Sequence, residues 1–143
     1  MTKQTQLLLD IFTKQPKLIF LVDGVGACVS AFFLGVILTA FHESIGLSLS
    51  ILFVLGGLAL LFAVYSLSCY YFSAHHRPFL LIIILANTFY TILTLILVFF
   101  YSNLTVLGLL YFSSELLVVG VLLFIEVRIL LRRVPKYRET NSE

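Results

Sequence analysis

The chain has 143 residues, of which 61% are hydrophobic and only 11% charged, against roughly 25% charge in an average soluble domain. The formal net charge is +2 and the mean hydropathy is +1.12. These values exclude a disordered chain, a disulfide scaffold and an ordinary soluble enzyme, and leave a one-domain polytopic membrane protein.

In chain order, residues 1–17 form a cytoplasmic segment. Within it Leu7, Leu8, Ile11 and Phe12 have helix-like spacing, read either as one or two turns lying on the membrane surface or as a frayed tail. Four apolar runs follow, at 18–41, 49–72, 79–101 and 104–127. Each is long enough to cross a bilayer, which takes about 20 apolar residues. The first is too long for a cleavable signal, whose apolar part is about 7–15 residues. The runs must be helices, because lipid offers no partner to an open strand edge. They lack the alternation of a β-barrel. Punctuation agrees: Pro16-Lys17, then His42-Glu43-Ser44 with Gly46, then the segment from Ser73 to Pro78, then Ser102-Asn103. Asn103 is expected to cap the fourth helix. Residues 128–143 form a basic tail in which Pro135 stops any helix. Its basic side chains suit anionic lipid headgroups, not nucleic acid.

Lysine and arginine orient the bundle. Lys3, Lys14 and Lys17 precede the first run, Arg77 lies between the second and third, and Arg128, Arg132, Arg133, Lys136 and Arg138 follow the fourth. The other two loops carry none. The fold class is therefore an all-α transmembrane up-down-up-down four-helix bundle with both termini cytoplasmic.

Acids inside the bilayer cost several kcal/mol unless paired or wetted, so they mark candidate sites. Asp23, Glu115 and Glu126 fall within the runs, and no basic residue falls there with them. At a rise of ~1.5 Å per residue Asp23 lies ~9 Å in, and Glu115 ~20 Å in, near mid-membrane. Glu126, two residues before Arg128, reads as a solvated carboxylate at the interface. Asn87 lies ~15 Å deep and Tyr90 ~20 Å. Tyr65, Ser66 and Ser68 are the polar contribution of the second run.

These residues fall on stripes. Asn87, Tyr90, Thr91 and Thr94 share one face of the third run; Gly108, Tyr111, Glu115, Leu122 and Glu126 one face of the fourth. Gly56, Ala59, Ala63, Ser66 and Tyr70 do so on the second run, and Asp23, Ala27 and Ser30 or Ala31 on the first. Small residues at this spacing let helices approach, and polar side chains then bond across. All four stripes are expected to face inward, with Phe32-Phe33 and Phe99-Phe100 facing lipid.

The candidate ligand or ion site is Asp23, Glu115, Asn87, Tyr90, Tyr65 and Ser66. Either these form a hydrogen-bonded plug that fixes helix register, or Asp23 and Glu115 line a wetted cavity for a proton, a cation or a polar small molecule. Weaker signals are His75-His76-Arg77, a histidine pair without a third metal ligand, and Asp23-Gly24-Val25-Gly26, which lacks the third glycine of a dinucleotide fingerprint. Cys28 and Cys69 lie at different depths and read as buried small apolar residues, not a disulfide. Asn103-Leu104-Thr105 matches a glycosylation pattern. No cofactor is expected.

Phe20-Leu-Val-Asp-Gly-Val-Gly-Ala27, Tyr65-Ser-Leu-Ser-Cys-Tyr70, Pro78-Phe79, Ala86-Asn87, and Leu107-Gly108 with Tyr111-Phe112 and Glu115 are similar to small four-span inner-membrane proteins of bacteria that carry no assigned activity. The resemblance implies a bacterial inner-membrane setting and adds no mechanism. The expected function is a non-enzymatic membrane module that packs with itself or a membrane-protein partner through a polar helix core. The alternative is a proton- or cation-coupled small transporter or channel using Asp23 and Glu115. The third reading is an intramembrane lipid or quinone enzyme with one of these acids as its acid–base group.

Overall fold

The computed structural model describes residues 11, 15, 17–72 and 76–132. Four of its helices are long and apolar enough to cross a membrane: Lys17–Ala40, Leu49–Phe72, Pro78–Phe100 and Val106–Leu131. Among the described residues there is no strand. The first span is α1 (Lys17–Phe32), a π-helical segment (Phe33–Ile37) and α2 (Leu38–Ala40). A short α3 (His42–Ile45) leads to α4 (Leu49–Phe72), α5 (His76–Phe100) and α6 (Val106–Arg132). The last helix continues five residues beyond the expected end at 127. Apart from Ile11, which is helical, the 6–12 stretch lies outside the described residues, as do Arg133, Lys136 and Arg138.

The π segment bulges the first span, and the Thr39 hydroxyl lies 2.9 Å from both the Gly35 and Val36 carbonyls freed there. Such bulges interrupt the ordinary i→i+4 ladder and leave carbonyls in need of donors. After Phe41 the chain turns through α3, which ends on Gly46 at φ +81°. The Gly46 and Leu47 amides both donate to the His42 carbonyl, at 2.9 and 3.3 Å, a left-handed helix stop that glycine adopts without steric cost. A β-carbon at Gly46 would also overlap the Asn103 carbonyl.

That contact joins the two loops at one end of the bundle. The Thr105 amide donates to the Ile45 carbonyl at 3.0 Å and the Thr105 hydroxyl to the Ser44 carbonyl at 2.6 Å. The same oxygen accepts the Gly108 amide at 3.3 Å and so caps α6. Thr105, not Asn103, is the cap, because the helix begins two residues later than the loop signal suggested.

The helices pair as two antiparallel hairpins, α1 with α4 and α5 with α6, and contacts between the hairpins are sparser. Gly24 permits a close approach of α1 to α4, since a β-carbon there would meet the Leu67 side chain at 2.8 Å. Where lipid surrounds a bundle, this kind of close packing takes over from the hydrophobic effect in joining helices. One apolar cluster closes the loop end around Leu34, Leu38, Leu52, Leu55 and Phe112. A second closes the terminal end around Ile19, Phe20, Cys69, Leu80, Ile83 and Ile129. The start of the first span at Lys17 and the end of the last helix at Arg132 therefore lie at one end of an up-down-up-down bundle.

The stripes face as expected: Asp23, Ala59, Ala63, Ser66, Asn87, Tyr90, Thr94, Glu115 and Glu126 are buried, and Phe32, Phe99 and Phe100 are exposed. Cys28 departs from expectation. It is exposed, because it sits one residue, or ~100°, off the Ala27 face of its helix; Cys69 is buried, and both thiols are free.

Candidate functional site

Between the two apolar clusters lies a layer to which every span contributes. Asp23 on α1 accepts the Ser66 hydroxyl of α4 at Oδ2 and the Asn87 amide of α5 at Oδ1, the latter at 2.8 Å. The same Asn87 Nδ2 lies 3.2 and 3.3 Å from the two oxygens of Glu126 on α6. A carboxamide nitrogen carries two protons, so one Asn87 serves two acids on two helices. Asp23 and Glu126 thus face each other across one donor, and no cationic side chain among the described residues forms a salt bridge with either.

Glu126 overturns the expectation of a solvated interfacial carboxylate: it is 0% exposed. Two residues turn a helix by ~200°. Arg128 therefore points outward, over the Phe124 ring at 5.0 Å, while Glu126 points into the bundle. Depth along the chain measures nothing about direction around the helix. The helical stripe that already held Glu115 and Leu122 was the signal for it.

About three turns along α6 towards the loop end, Glu115 has different surroundings. Tyr90 donates to Oε1 at 3.0 Å, but Oε2 is buried and has no hydrogen-bond partner. The Ser30 hydroxyl of α1 stands beside this carboxylate. Glu115 is 93% buried, at 7% exposure, and it lines a cavity of ≈ 430 Å³. That cavity follows the first span from Asp23 to Phe33 and α6 from Tyr111 to Leu122, a slot ~15 Å long at the helical rise. Its rim includes Val29 and Val118, both more than half exposed, so it opens sideways between the first and last spans. Those two helices barely touch.

The aromatic residues Phe33, Phe62, Tyr90 and Tyr111 line the same slot. Phe33 stacks on Tyr111 with centroids 6.2 Å apart, and Phe62 meets Tyr90 edge-on at 6.3 Å. Phe33 is half-turned towards the slot, a role its Phe32-Phe33 setting in the sequence did not indicate.

Of the sequence candidates, Asp23, Ser66 and Asn87 come together in the layer, and Glu115 and Tyr90 form the pair at the slot. Asp23 and Asn87 also reach the slot floor. Tyr65 is set apart: it packs beside Cys69 against the terminal-end cluster, because it is rotated ~100° from Ser66 on α4. His75 and the side chain of His76 lie outside the described residues. No protein-family model matches this chain, and neither curated proteins nor solved structures give a match. Four spans thus make this a multi-pass membrane protein by length and composition, and its activity is argued from the site.

Proposed function

We propose that this multi-pass protein is a non-enzymatic membrane module that holds a small cationic or polar ligand at Glu115, as a coupled transporter or channel does. The Asp23–Ser66–Asn87–Glu126 layer is the internal joint that keeps the four helices in register. The observation that supports the ligand role is the unpartnered Glu115 Oε2 at the slot. A buried acceptor without a donor costs roughly 1–3 kcal/mol, a cost a bound donor removes. The distribution of Lys and Arg favours both termini in the cytoplasm, and the resemblance noted above favours a bacterial inner membrane.

Uptake of a cation into proteoliposomes tests the reading. Glu115→Gln is expected to stop uptake while the protein stays folded; undiminished uptake by this variant removes Glu115 from the mechanism. Reporter fusions at both chain ends test orientation, and both are expected to report cytoplasm.

Self-association is a second reading. A shallow outer groove between α1 and α4, lined by Cys28, Gly35 and Gly57, supports it, since a β-carbon at Gly35 or Gly57 would meet nothing within 4 Å. Small residues on an outer helix face admit another helix closely. Oxidative cross-linking in membranes is expected to trap a dimer through the exposed Cys28, and Cys28→Ser to abolish it.

A further inference from the structure

The slot combines four features that together narrow its ligand. It holds one acid with a free oxygen, four aromatic rings in its lining, no lysine or arginine there, and a long apolar mouth open to the side. We infer that the slot takes a single-chain lipophilic amine in its ammonium form, admitted sideways from the bilayer between α1 and α6. This rests on the reading of Glu115 as the ligand-holding group and adds the class of ligand and its route.

Each feature selects part of that molecule. Glu115 Oε2 lacks a hydrogen-bond donor, and an ammonium N–H supplies both the donor and the compensating charge. A quaternary ammonium supplies only charge. The stacked pair Phe33–Tyr111 and the edge-on pair Phe62–Tyr90 line the slot that Glu115 enters, and aromatic rings are the usual surroundings of a bound organic cation. A bare metal ion calls for several oxygen ligands, whereas the slot offers mainly carbon around a single free carboxylate oxygen. The remainder of the slot runs parallel to the helices for ~15 Å, flanked by Val29, Val118 and Leu122. That matches an alkyl chain lying along its lipid neighbours. A phospholipid amine would carry its phosphate beside Glu115 with no basic residue to receive it, so a free amine fits better than a lipid headgroup.

Binding of dodecylamine to the full chain in phosphatidylcholine nanodiscs tests this, with protein-free nanodiscs subtracting partition into lipid. Saturable one-to-one binding is expected. It weakens at least tenfold in Glu115→Gln and is unchanged in Glu43→Gln, an exposed acid on α3 remote from the slot. Circular dichroism and monodispersity confirm that both variants are folded. Dodecanol, which has the chain without the charge, is expected to bind at least tenfold more weakly. Equal binding of dodecanol, or unaltered amine binding by Glu115→Gln, overturns the inference. So does Glu115-dependent uptake of a small inorganic cation with no amine binding, a result that leaves the proposed function standing. Phosphatidylethanolamine that competes with the amine would assign the ammonium to a lipid headgroup in place of a free amine. The double substitution Val29→Trp with Val118→Trp is expected to slow association at least tenfold, and an unchanged rate rules out the sideways route.

Discussion

At the level of Asp23 all four spans deliver a side chain to one hydrogen-bonded layer, whereas at the level of Glu115 Tyr90 of α5 donates, the Ser30 hydroxyl of α1 stands beside the carboxylate, and one carboxylate oxygen is left facing a cavity. Both acids are more than nine-tenths buried. The residue type is similar and the burial is the same, so neither decides the role. What differs is how many donors the neighbouring helices bring. Asp23 receives two, one from Ser66 and one from Asn87, and Asn87 binds a second acid as well. Glu115 receives one. Where the hairpins close on each other the acid becomes a joint, and where α1 and α6 stand apart the acid keeps spare capacity.

The contrast predicts stability losses in one region and binding losses in the other. The largest effect is expected from Asn87→Ala, which strips the shared donor from Asp23 and Glu126 and leaves two buried acids facing each other. A loss of ~2–3 kcal/mol is expected, above the ~0.6 kcal/mol average for one interhelical hydrogen bond in a membrane because two acids lose a partner. Titration of folded protein with sodium dodecyl sulfate in mixed micelles measures it. A loss below ~0.6 kcal/mol would erase the distinction between the regions.

Next comes Gly24→Val, which drives a side chain into Leu67 one residue from the joint. Overpacking of this kind costs ~1–3 kcal/mol, and the same titration reads it; because α1 and α4 separate, the Asp23–Ser66 contact is expected to weaken with it. Thr105→Ala, at the loop end and outside both regions, is expected to cost ~1 kcal/mol through the lost α6 cap. It should leave ligand binding within twofold of the native protein.

The smallest stability change is expected from Glu115→Gln. Its single bond from Tyr90 can be accepted by the amide oxygen instead, so the shift stays within ~0.6 kcal/mol, while uptake stops. A large stability loss here would make Glu115 another joint.

Much of the fold was legible because lipid leaves the chain few choices. Four runs of the right length had to be helices, and short breaks had to make neighbours antiparallel. The inward stripes were legible from spacing alone, since 3.6 residues per turn sets the face of each residue relative to its own helix. What spacing does not give is the register between helices. Asn87 meets Asp23, 64 residues away, and Glu126, 39 residues away, and those contacts depend on how far each helix slides along its partner. Glu126 differs from its expected solvated place for a related reason: nearness to Arg128 in the chain gives depth, while helical phase gives direction. Tyr65 and Ser66 share a depth in the second span but not a face, since adjacent residues on a helix diverge by ~100°. The slot was illegible, because it is a gap between two helices that are distant in the chain.

The π-helical turn at Phe33–Ile37 divides the first span into two halves with separate clocks. Above and below it the side chains keep α-helical time, but the second half runs one residue late. A chain shortened by a single residue between 33 and 37 would run there as an unbroken α-helix and still turn Leu38 towards the loop-end cluster, because the wide turn only takes up one extra residue. The length between Asp23 and Gly46 can therefore change by one residue inside this turn without moving the side chains on either side of it.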